Sequence, residues 1–204
     1  TPLLVEISKL SGTVYDKGEA GMPHRVIADH VRMLTFSISD GALPSNDGRG
    51  YVLRRILRRA ARYGRNLGLP NAFIYKLVPI VVQIMGDAYP ELHERVEYIQ
   101  KVIKSEEDSF SKTLGRGLQI FENRVAEIKG QGITAVSGED VFKLYDTFGF
   151  PADLTNLMAE EEGLTVDING FESLMEAQRT KAREAKHFKQ TVNQDADWHF
   201  LNPG

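Results

Sequence analysis

Cysteine is absent from this chain of 204 residues. Disulfides and thiolate metal sites are therefore excluded, and the composition suits a reducing compartment such as the cytoplasm. Long apolar runs are missing too: none reaches the roughly 18 residues that a membrane span needs. Thr1 to Leu10 lacks the basic-then-apolar layout of a signal peptide. No Met stands at position 1, which predicts a processed chain or an excised piece. Strand signals are nearly absent, and there is no internal repeat or low-complexity tract. No Gly-x-x-x-x-Gly-Lys phosphate loop and no nucleophile motif is present. The five histidines form no His-x-x-x-His or His-Glu-x-x-His pair, so no metal site is expected.

One further absence is local. Between Arg49 and Asn66 there is no acidic residue, while seven arginines occupy the segment: Arg49, Arg54, Arg55, Arg58, Arg59, Arg62 and Arg65. The formal net charge of −3 hides this stripe, because the acids lie elsewhere, as in Glu106-Glu107-Asp108 and Glu160-Glu161-Glu162. By bulk charge alone the chain is no nucleic-acid binder, since such domains often have a pI above about 9.

The periodicity predicts an all-α fold, a bundle of about six to eight helices in two subdomains, residues 1–129 and 130–204. A helix runs from Pro23 to about Ser39, with Val26, Ile27, Val31, Leu34 and Ile38 on its apolar face. Gly41 to Gly48 breaks the pattern. A second helix spans about Gly50 to Leu67, with Leu53, Ile56, Leu57, Ala60 and Leu67 turned inward. Ala72 to Met85 reads as a core helix that Pro79 kinks or splits. Pro90 opens a long helix to about Lys129, weakened in the middle by Gly115 and Gly117, which allow close packing. Ser137 is an N-cap with Asp140 in the reciprocal position. Gly149-Phe150-Pro151 ends that helix and starts another, with Pro151 in its first turn and Gly163 at its end. Leu164 to Val166 is too short to assign. Asp167 or Asn169 caps a last helix to about Ala185, and residues 186–204 read as a loose tail.

Three features could carry recognition. Arg54, Arg58, Arg62 and Arg65 share one helix face, and guanidinium forks match phosphate oxygens. The alternative is neutralisation by acids from other helices, the glutamates of the long helix among them. The lack of acid within the run tips the reading toward RNA phosphate. Asn46 stands in a loop at a helix N-terminus, where an amide can read a base edge. Composition alone favours a plainer role, a turn residue bonding its own backbone. Asp146 lies at a helix C-terminus, where a carboxylate opposes the dipole. A salt bridge to a basic neighbour is its plainer explanation.

Three strings change that balance. Arg25 to Arg32, then Pro44 to Arg59 (PSNDGRGYVLRRILRR), then Leu144 to Leu154 (LYDTFGFPADL) occur in this order. Together they resemble the middle, tRNA-recognition domain of alanyl-tRNA synthetases, over about His24 to Ala185. The resemblance implies that Asn46 and Asp146 flank a G·U wobble pair in the acceptor stem of an alanine tRNA. It implies that Arg49, Arg54, Arg55, Arg58, Arg59 and Arg62 hold phosphates. Catalytic residues are not expected here, because no Phe-Arg-x-Glu motif is present. ATP, Mg2+ and Zn2+ are expected of the parent ligase, whose catalytic and editing domains would flank this piece, and no cofactor is expected in the piece itself. Two other classes compete: an all-helical metal-dependent hydrolase using Asp29 and His30, and a helical scaffold whose arginines meet an acidic protein.

Overall fold

The computed structural model describes the backbone of residues 1–194 and the side chains of residues 1–184. Eight α-helices lie among the described residues: α1 (Pro2–Ser11), α2 (Met22–Ser39), α3 (Gly48–Asn66), α4 (Val78–Met85), α5 (Glu91–Gly130), α6 (Gly138–Phe148), α7 (Ala152–Glu161) and α8 (Ile168–Gln194). The all-α expectation holds, with one addition. Two-residue strands β1 (Ala135–Val136) and β2 (Thr165–Val166) pair in parallel. Segments that short show no alternation, so the sequence carried no sign of them.

The predicted periodicity decides what is buried. Ile27, Val31, Leu34 and Ile38 of α2 meet Leu53, Leu57 and Ala60 of α3, and all are buried. The 40-residue α5 packs on both and continues to α6. It sets Ile99, Ile103, Phe110, Leu114 and Phe121 into a core that extends from Leu3 to Leu164. Helix α1, which the sequence reading passed over, adds Leu3 and Ile7 to it. Pro79 splits the segment it occupies: Ile74–Leu77 forms a 3-10 turn, and α4 begins at Val78. Phe73 and Ile74 donate their backbone N–H groups to the buried Glu107, at 2.7 and 3.1 Å. Burial drives that carboxyl up to about 7, against the lowering effect of those hydrogen bonds.

The junction after α6 fixes the second half of the chain. Gly149 takes the left-handed conformation, φ 71°, that a helix C-terminus favours in glycine. Phe150 then turns inward and is fully buried against Phe110, edge to face, with ring centroids 5.6 Å apart. Gly117 makes room for it, since a Cβ there would overlap the Phe150 ring. Thr113 Oγ1 also donates to the Phe148 carbonyl at 2.8 Å. The paired strands bring the starts of α6 and α8 side by side. Ser137 caps α6 by accepting the Asp140 N–H at 3.2 Å, and Asp167 accepts the Gly170 N–H at 2.9 Å. Pro151 precedes α7 by one residue and does not occupy its first turn. Helix α8 continues past the expected stop near Ala185 as far as Gln194; residues 195–204 of the expected tail lie outside the described residues.

Candidate nucleic-acid interface

Gly50 falls in the first turn of α3, where a Cβ would strike the Leu43 carbonyl and the Ser45 hydroxyl. The 43–47 loop therefore lies tight against the helix start and carries Asn46 into solvent. Asn46 does not bond its own backbone. Its Oδ1 accepts from Arg54 Nη1. A guanidinium has donors only, so this contact fixes the amide with its oxygen toward α3 and its NH2 outward.

Asp146 is also exposed, in the last turn of α6. The expected alternative, a basic partner, is not what it meets. Gln178 Nε2 on α8 donates to Asp146 Oδ1 at 2.6 Å. One carboxylate oxygen is thus held by a neutral donor, and the charge is left uncompensated by that contact.

Beside Asn46 lies an open cleft of about 660 Å³. Asn46, Asp47 and Tyr51 line it from the start of α3, Tyr145 from α6, and Phe171, Glu172, Met175, Glu176 and Arg179 from α8, where Arg179 pairs with Glu176. Tyr145 and Phe171 stack edge to face, centroids 5.6 Å apart. Burial raises the Tyr51 hydroxyl above its ordinary value and keeps it neutral. Segments far apart in the chain thereby meet at one cleft, and Arg179 joins it from outside the three strings.

The arginine segment corrects an expectation. Its guanidinium groups are not all unpaired. Arg54 Nη2 and Arg58 Nη2 both donate to Glu106 on α5, at 3.1 and 2.9 Å. Arg55 Nε donates to Asp153 on α7 at 2.9 Å. Arg62, only 9% exposed, forms a bidentate pair with Glu161 of α7. The acids come from 48 to 99 residues away, so a window confined to the run could not contain them. Arg58 also donates to the Gly149 carbonyl and stacks over Phe110 at 5.1 Å. Burial lowers its pKa from the ordinary value, with Glu106 opposing; Asp153 raises that of Arg55. Arg49, Arg59 and Arg65 have no carboxylate partner among the described residues, and Arg49 is exposed.

Asp29 and His30 meet other neighbours. Asp29 accepts from Arg32 at 3.0 Å, and the partly buried His30 is held below its ordinary pKa by burial and by Arg59. No grouping of three or more His, Cys, Asp or Glu among the described residues could hold a metal ion, and zinc chemistry is not assigned to these residues.

Comparison with known proteins decides the family. The model for class II (A) tRNA synthetases matches residues 1–201. The chain belongs to the alanyl-tRNA synthetase family. It is 53% identical over 186 residues to the alanine–tRNA ligase of Halalkalibacterium halodurans, covering 91% of this chain and 21% of that protein. It is 54% identical over 182 residues to the ligase of Streptococcus sanguinis, covering 89% and 21%. With the ligase of Chlorobaculum tepidum it shares 51% over 206 residues, covering 99% and 23%. The chain thus spans about a fifth of the length of the curated relatives it matches. No helix among the described residues is long and apolar enough to cross a membrane.

Proposed function

We propose that this chain is the tRNA-recognition part of an alanine–tRNA ligase, and that it binds the acceptor stem of an alanine tRNA and reads a G·U pair there. The observation that carries this reading is that Asn46 lines the cleft while Asp146, also exposed, directly follows Tyr145, which lines it from α6. A-form RNA offers its wide minor groove to side chains. A G·U pair leaves the guanine amine there without a cytosine partner. Asp146, an acceptor only, suits that amine through its unoccupied oxygen. Asn46, with its NH2 turned outward, suits the acceptors beside it.

Arg49 and Arg59 are the direct phosphate contacts in this reading, since they have no carboxylate to give up. Arg54, Arg55, Arg58 and Arg62 are already neutralised, and they hold the scaffold on which the two reading residues stand. Phosphate contacts set register, and the base-edge contacts specify. Residues 1–129 supply Asn46 and the arginines, and residues 130–204 supply Asp146. The parent ligase would attach alanine to tRNA in the cytoplasm, with ATP, Mg2+ and Zn2+ held by its catalytic and editing domains. Titration of the chain with an acceptor-stem hairpin, followed by fluorescence anisotropy, tests the binding. Salt-sensitive association supports the reading, and no association at low salt overturns it.

A further inference from the structure

We propose that Glu106 is the positioning residue that holds the two reading arms at their working separation. This rests on the wobble-pair reading above. Glu106 lies midway along α5, its side chain only 12% exposed. Arg54 meets both of its oxygens, with Nη2 donating to Oε2 at 3.1 Å and Nε lying 2.8 Å from Oε1, and Arg58 Nη2 donates to Oε1 at 2.9 Å. Each arginine has its Nη1 committed elsewhere. Arg54 Nη1 holds Asn46 Oδ1. Arg58 Nη1 holds the Gly149 carbonyl, three residues beyond Asp146. One carboxylate thus stands at the centre of a chain of four hydrogen bonds that begins at one reading residue and ends at the helix terminus bearing the other.

The arrangement needs each chemical feature it has. Two guanidinium groups one turn apart repel each other in a half-buried setting, and a single shared carboxylate cancels much of that repulsion. The planar fork of arginine lets one side chain grip two acceptors in fixed directions, which a lysine ammonium cannot do. Arg58 is further restrained by Phe110 at 5.1 Å. Asn46 and Asp146 belong to segments 100 residues apart, and a base-pair edge demands that both be placed to about half an ångström. Glu106 makes no contact with Asn46 or Asp146 itself, so its action passes through the arginines.

The test uses the whole chain, with hairpins carrying G·U or G·C at the read position. Dissociation constants are measured well below the melting temperature for wild type, Glu106→Gln, Asn46→Ala and the double variant. Glutamine keeps the volume but loses the charge and one acceptor. The expected result is a G·U preference that falls about five-fold or more in Glu106→Gln, with melting still cooperative. In the Asn46→Ala background the same change lowers the preference far less, because its path through Arg54 is already cut. Arg54→Lys, which keeps the charge but not the fork, should lower the preference too, and it serves if Glu106→Gln does not fold. An ion pair that acts only on stability would shift the melting temperature and leave the preference intact. A wild-type preference that falls in Asn46→Ala but survives both Glu106→Gln and Arg54→Lys overturns this inference and leaves the base-pair reading standing. Equal wild-type affinity for the two stems overturns the base-pair reading, and this inference with it.

Discussion

Gln178 Nε2 donates to Asp146 Oδ1 at 2.6 Å, joining α8 to the end of α6 across 32 residues of sequence. The bond takes up one oxygen of the carboxylate and restrains its side chain. Without it the Asp146 side chain regains its rotamer freedom. Gln178→Ala should therefore reduce the preference for a G·U stem by a few-fold. The melting temperature should barely move, because an exposed hydrogen bond contributes about 1 kcal/mol or less. Paired binding and melting curves check this. A large loss of stability with unchanged preference would make Gln178 a structural residue only.

The two classes of arginine should separate by salt. Arg49→Ala and Arg59→Ala should each flatten the slope of log affinity against log salt by roughly 0.7 to 0.9, equally for cognate and altered stems. Arg62→Ala should leave the slope alone and lower stability by roughly 1–3 kcal/mol, since the packing of a nearly buried side chain and its pair with Glu161 are lost together. A flattened slope in Arg62→Ala would show that its pair with Glu161 opens to phosphate.

Gly117→Ala should push the Phe150 ring out of its seat on α5. The cost expected for such overpacking is about 1–3 kcal/mol. Because Phe150 follows the helix that bears Asp146, the variant should lose G·U preference as well as stability. Gly115→Ala is the control, since a Cβ there meets only an Arg65 nitrogen at 3.5 Å. It should be neutral or slightly stabilising. Thermal melts of the two variants decide between these outcomes.

Glu107 makes stability depend on pH. Its folded pKa is about 7, above the ordinary 4.5, so the folded chain binds this proton more tightly than the unfolded chain. The associated stability is fully present below about pH 4.5 and is lost as the pH rises through about 7. Glu107→Gln should flatten the pH dependence of the melting temperature in that window and narrow or reverse its deficit at higher pH. A variant that follows the wild-type pH curve would place the titration elsewhere.

Much of this molecule was legible in its sequence, where signals are local. The α2 and α3 faces, the Pro79 split, the Ser137 cap and the room at Gly117 each depend on residues a few positions apart or on one residue's chemistry. What escaped was non-local. The paired strands are too short to carry a period, and α1 is short. The partners of the arginines lie up to 99 residues away. Asn46 shows the difference most clearly. A turn signature marked the loop, yet its amide bonds the Arg54 guanidinium on the helix, a contact that depends on how the loop folds back over Gly50. Likewise nothing around Asp146 pointed to Gln178.

Joint reading of one base pair by Asn46 and Asp146 is decided by the variant Asp146→Ala. Affinities of wild type and variant are compared for acceptor-stem hairpins differing only in G·U or G·C. Wild type should favour the G·U stem by about five-fold or more, on the 1–3 kcal/mol scale of a good base-edge contact. Asp146→Ala should lose most of that preference while helical content and salt slope stay as they were. A G·U preference of the same size in wild type and variant, or none in wild type, would rule out base-pair reading by Asp146.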